Sequence, residues 1–281
     1  MIKFGSSGNS LAYHNAGFDG SSHSAKWVKD MGLDCFEYSF GRGVNLSSEK
    51  ACEIGKSFKE NGVEISVHCP YFINFASPEE QKVINSYGYV LSSLEKGSLM
   101  GAKRAVFHPA TQGKLSRIDA VSLATKNLET LAKLIEDNGY GNMLICPETM
   151  GKSAQIGTTK EIADFCTIAP FFYPCLDFGH INSLEQGSLN VKDDYLRLFD
   201  IIEKGCGFEK LNKMHVHFSK IMYGPKGEIK HLTFEDVEFG PMPEPFILAV
   251  KERGISPYIV SESAGTQDID AKTLKTLYEN A

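Results

Sequence analysis

Six short apolar runs in this chain stop on a residue type that binds divalent metals. They read Ser66-Val67-His68, Val106-Phe107-His108, Ile145-Cys146-Pro147-Glu148, Cys175-Leu176-Asp177, Met214-His215-Val216-His217 and Val260-Ser261-Glu262. Imidazole nitrogen and carboxylate oxygen suit zinc, and also manganese or iron. Each residue alone has a plain explanation. A histidine at a strand end is often just hydrogen-bonded, and an acid there often caps the next helix, as Asp177 could with His180 left as a loop residue. The joint pattern is harder to explain that way. The chain has 8 histidines, and about half of them fall in this set. Buried carboxylates and imidazoles converging on one place repel or stay unpaired unless cations neutralise them.

The ligand count suggests more than one ion. Glu148, Asp177, His215 and Glu262 complete one four-ligand site. His68 and His108 are surplus, and can hold a second ion with a carboxylate bridging. His180, three residues after Asp177, is surplus again. The stretch Gly224-Pro225-Lys226-Gly227-Glu228-Ile229-Lys230-His231 offers one more carboxylate and one more imidazole, Glu228 and His231. If these swing over His180 they make a third site. Two or three clustered ions clamp phosphate oxygens and make water a nucleophile at neutral pH, which is the chemistry of phosphoester hydrolysis.

Something must bring six strand ends to one pole. Strand-like runs are expected at 2–5, 34–40, 64–68, 104–108, 143–147, 172–177, 213–217 and 257–261. Helical patterns separate them at 21–31, 47–61, 77–100, 117–138, 159–168, 191–204, 243–253 and 271–279. Ser77-Pro78-Glu79-Glu80 reads as a helix start. Strict alternation implies parallel strands with helical crossovers. Eight such units in 281 residues predict one (β/α)8 TIM barrel over 1–281, with the metal cluster at the C-terminal face of the strands. A doubly wound dinucleotide fold is the alternative, but Gly5-Ser6-Ser7-Gly8 does not match its phosphate-binding fingerprint.

Composition narrows the setting. Hydrophobic residues at 42% and charged residues at 23% suit a chain with a sizeable core. The formal charge of −6 does not advertise a nucleic-acid binder. Bound cations or a local basic patch can still reverse the field at a site. Seven cysteines are dispersed without a CxxC pair, which fits a reducing interior. The N-terminus lacks the apolar core of a signal peptide, and no apolar run is long enough to span a bilayer. These features point to a cytoplasmic protein with no membrane partner, and they imply no obligate protein partner.

The chain resembles the endonuclease IV family of zinc-dependent abasic-site endonucleases. The resemblance rests on His68-Cys69-Pro70-Tyr71-Phe72-Ile73-Asn74, Phe107-His108-Pro109, Pro147-Glu148-Thr149-Met150-Gly151, Cys175-Leu176-Asp177-Phe178-Gly179-His180, His215-Val216-His217-Phe218-Ser219-Lys220 and Ser261-Glu262. It implies a barrel with two or three zinc ions that cuts DNA on the 5′ side of abasic sites. It implies that His68, His108 and bridging Glu148 hold one ion, and that Glu148, Asp177, His215 and Glu262 hold another. Asp177 and His180 would start a third site, finished by Glu228 and His231. Glu148 is then the central catalytic carboxylate, and Tyr71 and Arg42 are expected to contact DNA. The family's Asp-x-His pair after the seventh strand is here Glu228-Ile229-Lys230-His231, one residue longer. Lys114, Lys152, Lys220, Lys226 and Lys230 could contact phosphates or be ordinary surface lysines. The competing expectation is a single-metal sugar isomerase or epimerase of the xylose-isomerase-like barrels, which also present Glu, Asp, His and Glu on strands five to eight.

Overall fold

Side chains alternate along a strand, so each short strand divides its residues between the barrel axis and the helices outside. The structure, a computed structural model, describes residues 1–281. Eight parallel strands form the sheet: β1 (Lys3–Ser7), β2 (Cys35–Ser39), β3 (Glu64–His68), β4 (Arg104–Phe107), β5 (Leu144–Pro147), β6 (Cys175–Asp177), β7 (His215–Phe218) and β8 (Tyr258–Ser261). They pair in the order β5-β4-β3-β2-β1-β8-β7-β6. Bridges Ile145↔Phe172 and Glu148↔Cys175 link the two edges and close the barrel. No helix is long and apolar enough to cross a membrane.

Most helices follow the expected pattern because their ends are marked by capping residues. Ser47, Ser116 and Thr158 each accept a backbone N–H three residues on, opening Ser48–Asn61, Arg117–Asp137 and Thr159–Phe165. The helix expected from 77 begins at Glu80 instead. Ser77 Oγ accepts from Glu79 N at 3.2 Å, which closes a turn ahead of the helix. Of the elements beyond the sequence expectation, two bear on the site. Phe178–Leu184 is a short helix directly after β6, and a hairpin of Ile221–Gly224 and Gly227–His231 fills the long connection after β7.

Alternation explains how the ligand-bearing strand ends are held. On β7, Val216 and Phe218 are buried in the main core outside the barrel, and His215 and His217 therefore face its axis. Phe178, next to Asp177, likewise faces outward. Its ring lies 4.8 Å from Phe246, and Phe246 lies 5.0 Å from Phe218. These rings lock β6 and β7 side by side against the helix Pro243–Arg253. Removing one buried Phe costs about 3–5 kcal/mol. Lower in the barrel, apolar residues make two separate packed groups. One is Val106, Cys146, Tyr173 and Cys175, and the other is Cys35, Tyr258 and Val260.

Candidate metal centre

At the C-terminal mouth of the barrel, Glu148 is fully buried and lies between the other candidates. Its Oε2 is 3.1 Å from both His68 Nε2 and His108 Nε2. Its Oε1 is 3.0 Å from His217 Nδ1. Three groups of ligand atoms gather around it, each within 4.8 Å: His68, His108 and Glu148; Glu148, Asp177, His217 and Glu262; and His180, Glu228 and His231; a fourth, Cys175, His215 and His217, lies on the deeper side of His217. A cleft of about 400 Å³ opens over them.

Asp177 both caps a helix and faces the cluster. Its Oδ1 accepts the backbone N–H of His180 at 2.7 Å, capping the helix Phe178–Leu184. Its Oδ2 is buried and has no hydrogen-bond partner. An orphaned carboxylate oxygen is costly unless a cation takes it. The residues therefore fit divalent metal, with His nitrogen and carboxylate oxygen as donors.

The strand-seven histidine that lies beside the other candidates is not the expected one. His217, not His215, joins Glu148, Asp177 and Glu262. The register gives the reason, since Asp177 pairs with His217 whereas Cys175 pairs with His215. His215 lies one rung deeper, fully buried. Its Nε2 is 3.1 Å from Glu37 Oε2, but out of alignment, so neither ring nitrogen has a hydrogen-bond partner. Sequence reasoning also missed Glu37. The available signal was a carboxylate inside the buried run Cys35-Phe36-Glu37, a position that requires a partner.

Glu228 and His231 do close over His180. Glu228 Oε2 is 3.6 Å from His180 Nε2, and the His180 and His231 rings are 5.7 Å apart. In a regular strand, residues three apart point to opposite faces. The hairpin register runs Tyr223↔Glu228 and then Met222↔Lys230, leaving Ile229 as a bulge residue. The bulge absorbs the extra residue and turns both ligands to one side. Two glycines let the hairpin approach. A side chain on Gly227 (φ +99°) would lie 2.0 Å from the Gly151 carbonyl oxygen. One on Gly151 would lie 2.9 Å from both His180 Cδ2 and Glu228 Cβ.

The charges are strongly coupled. Burial disfavours the charged form of His68, but the Glu148 hydrogen bond and the charges of Glu148 and Glu37 lift its pKa to about 9. His180 also reaches about 9 against burial, driven by Asp177, Glu148 and Glu228. Burial pushes Asp177 up, opposed by His180. Burial also works to raise Glu148, but His217 and His108 outweigh it and hold it well below the usual carboxylate range. Burial drives His215 down to about 4, so that ring is neutral.

Tyr71 is 48% exposed at the rim of the cleft, its ring tilted against that of Phe72 with centroids 4.5 Å apart. Its backbone N–H donates to the Gly41 carbonyl, so its loop meets the loop bearing exposed Arg42. Lys152 lines the cleft with Nζ 3.7 Å from Glu228 Oε2. Lys220 is committed elsewhere, buried with Nζ donating to the carbonyls of Phe234 and Asp236. Lys114, Lys226 and Lys230 are exposed.

Comparison with known proteins adds to this geometry. A family model described as xylose isomerase-like TIM barrel matches residues 25–278. An uncharacterized protein of Methanocaldococcus jannaschii is 29% identical over 238 residues, covering 84% of each chain. A protein of Aquifex aeolicus named probable endonuclease 4 is 24% identical over 279 residues, 91% of this chain and 93% of that one. Among solved structures, endonuclease IV from Thermus thermophilus has a TM-score of 0.72 at 19% identity, over 99% of this chain and all of that one. A D-tagatose 3-epimerase-like protein has a TM-score of 0.75 at 18% identity, over 99% and 97%. Likeness at these last two identities speaks for the fold alone.

Proposed function

We propose, on the premise that the chain belongs to the xylose isomerase-like TIM-barrel family and has proteins named endonuclease 4 among its relatives, that it is a metal-dependent phosphodiesterase. Its substrate in this reading is DNA containing abasic sites, cut on the 5′ side of the lesion, in the cytoplasm. The observation that carries the reading is the third ligand group, His180, Glu228 and His231, beside the other two. A sugar epimerase needs one ion, and Glu148, Asp177, His217 and Glu262 suffice for that. The additional imidazoles have no use in a one-metal site.

Three ions, of zinc in the first instance, would sit on the three groups and supply Lewis-acid stabilisation of phosphate charge and an acidified water. The chain's residues hold and orient. His68 Nδ1 donates to the Cys69 carbonyl at 2.8 Å and His180 Nδ1 to the Thr149 carbonyl at 2.9 Å, leaving each Nε2 to face the cluster. Ser7 donates to Glu262 Oε1 at 3.2 Å, which leaves Oε2 towards His217. Tyr71 and Arg42 are the residues of the rim that would meet the duplex beside the lesion.

The deciding experiment measures metal per chain together with nicking of a duplex carrying one abasic site, with and without chelator. The reading expects two or three ions and chelator-sensitive nicking. One ion, no nicking and interconversion of ketose epimers would transfer the protein to the sugar epimerases.

A further inference from the structure

Three imidazoles of the centre are held from behind by neutral oxygens. The Cys69 and Thr149 carbonyls take Nδ1 of His68 and His180, and Ser219 Oγ lies 2.9 Å from Nδ1 of His231. Each of these rings offers Nε2 to the cluster. His217 is the reverse. It faces Glu148 through Nδ1, and its Nε2 is 2.8 Å from a carboxylate, Glu37 Oε1. Glu37 is fully buried on β2, and its other oxygen accepts from Ser66 Oγ at 2.9 Å.

The location explains the difference. Cys69 and Thr149 lie just past β3 and β5, where carbonyls have left the sheet ladder. His217 lies inside β7, where backbone carbonyls are engaged between strands and cannot turn inward. Only a side chain can meet its inner nitrogen. Ser66 in turn holds the carboxylate in place.

We propose that Glu37 is a positioning residue for the metal centre: it accepts the Nε2–H of His217 and so fixes the ring with its Nδ1 lone pair towards Glu148, Asp177 and Glu262. This rests on the cluster being a metal centre, and not on abasic DNA being the substrate. Outer partners of this kind typically change metal affinity 10–100-fold.

The test uses the full-length chain loaded with zinc. Zinc content and affinity are measured by chelator competition for wild type, Glu37→Gln and Glu37→Leu. The Gln amide oxygen can still accept the hydrogen bond, and Leu cannot. We expect Glu37→Leu to lose about 10–100-fold in affinity for one ion while the remaining zinc is retained. Glu37→Gln should stay within about tenfold of wild type. Equal affinity in wild type and Glu37→Leu, or equal losses in the two variants, overturns the proposal. A second measurement needs no variant. Long-range 1H–15N spectra of the histidine rings in zinc-loaded wild type should show the His217 proton on Nε2, and a proton on Nδ1 overturns the proposal. Wild type that binds zinc without nicking abasic DNA removes the proposed substrate and leaves this inference standing. Wild type that binds no zinc removes both.

Discussion

Glu148 is the residue on which the most interactions converge, with its two oxygens facing three imidazoles at 3.0–3.1 Å. Glu148→Gln should abolish nicking, a loss exceeding the roughly hundredfold of an outer-partner change, while circular dichroism of the folded chain stays unchanged. Near-normal nicking would mean that the bridging role is wrongly assigned. The two β7 histidines make a second test. His217→Asn should lose one ion per chain, and His215→Asn should keep wild-type metal content, as measured by elemental analysis. The reverse result would return the ligand role to His215. The shifted pKa values also make a prediction for the metal-free chain. His68 and His180 have folded pKa values of about 9 against an unfolded value near 6.5. Their stabilisation is complete below pH 6.5 and is lost as the pH rises through about 9. His215, at about 4, acts in the opposite sense, and its contribution is lost as the pH falls from 6.5 towards 4. The thermal midpoint of the metal-free chain should therefore peak near pH 6.5. Metal affinity should rise with pH up to about 9, because the ions must displace these protons. A midpoint still climbing at pH 9 would contradict the charge assignments.

Among the elements, the hairpin after β7 carries the argument for a third ion. Its Glu228 and His231 are three residues apart, and the bulge at Ile229 reconciles that odd spacing with a shared face. Deleting Ile229 leaves Glu228 and His231 two apart, a spacing that shares a face without a bulge. The deletion should therefore retain full metal content and nicking within about tenfold, although it shortens a loop of the site. Loss of a metal ion in this variant would show that the bulge does more than restore facing. The ligand types of this hairpin are visible in the sequence, but the bulge is not, since strand parity depends on which residue the partner strand leaves unpaired. The short helix after β6 was hidden for a different reason. Its first residues, Phe178-Gly179-His180, continue an apolar strand pattern, and only the Asp177 cap marks the change.

For the whole molecule, charge is the chief obstacle to a DNA substrate. The formal charge is −6, and three divalent ions would carry an equal positive charge, concentrated at the mouth beside Tyr71 and Arg42. Removing the metal should lower affinity for abasic duplex by about an order of magnitude at fixed salt, measured by fluorescence anisotropy. Unchanged affinity after chelation would assign binding to the protein surface alone. The barrel itself is read readily from the sequence. Eight alternations of short apolar runs and capped helices leave few other folds, and strand-end ligands then fall at one pole.

The sequence by itself determined the alternating strand–helix order, the metal-binding residue types at six strand ends, and the surplus of imidazoles beyond one site. These are local properties, set by side-chain chemistry and by periods of 2 and 3.6 residues. Only the tertiary structure decided between His215 and His217, because both face the barrel axis and a period of two cannot say which rung is level with Asp177. The pairing Asp177↔His217, made between segments distant in the chain, settles that level. Closure of the barrel brought Glu37, on a strand that does not pair with β7, to His217, a contact between residues 180 positions apart that no local pattern encodes.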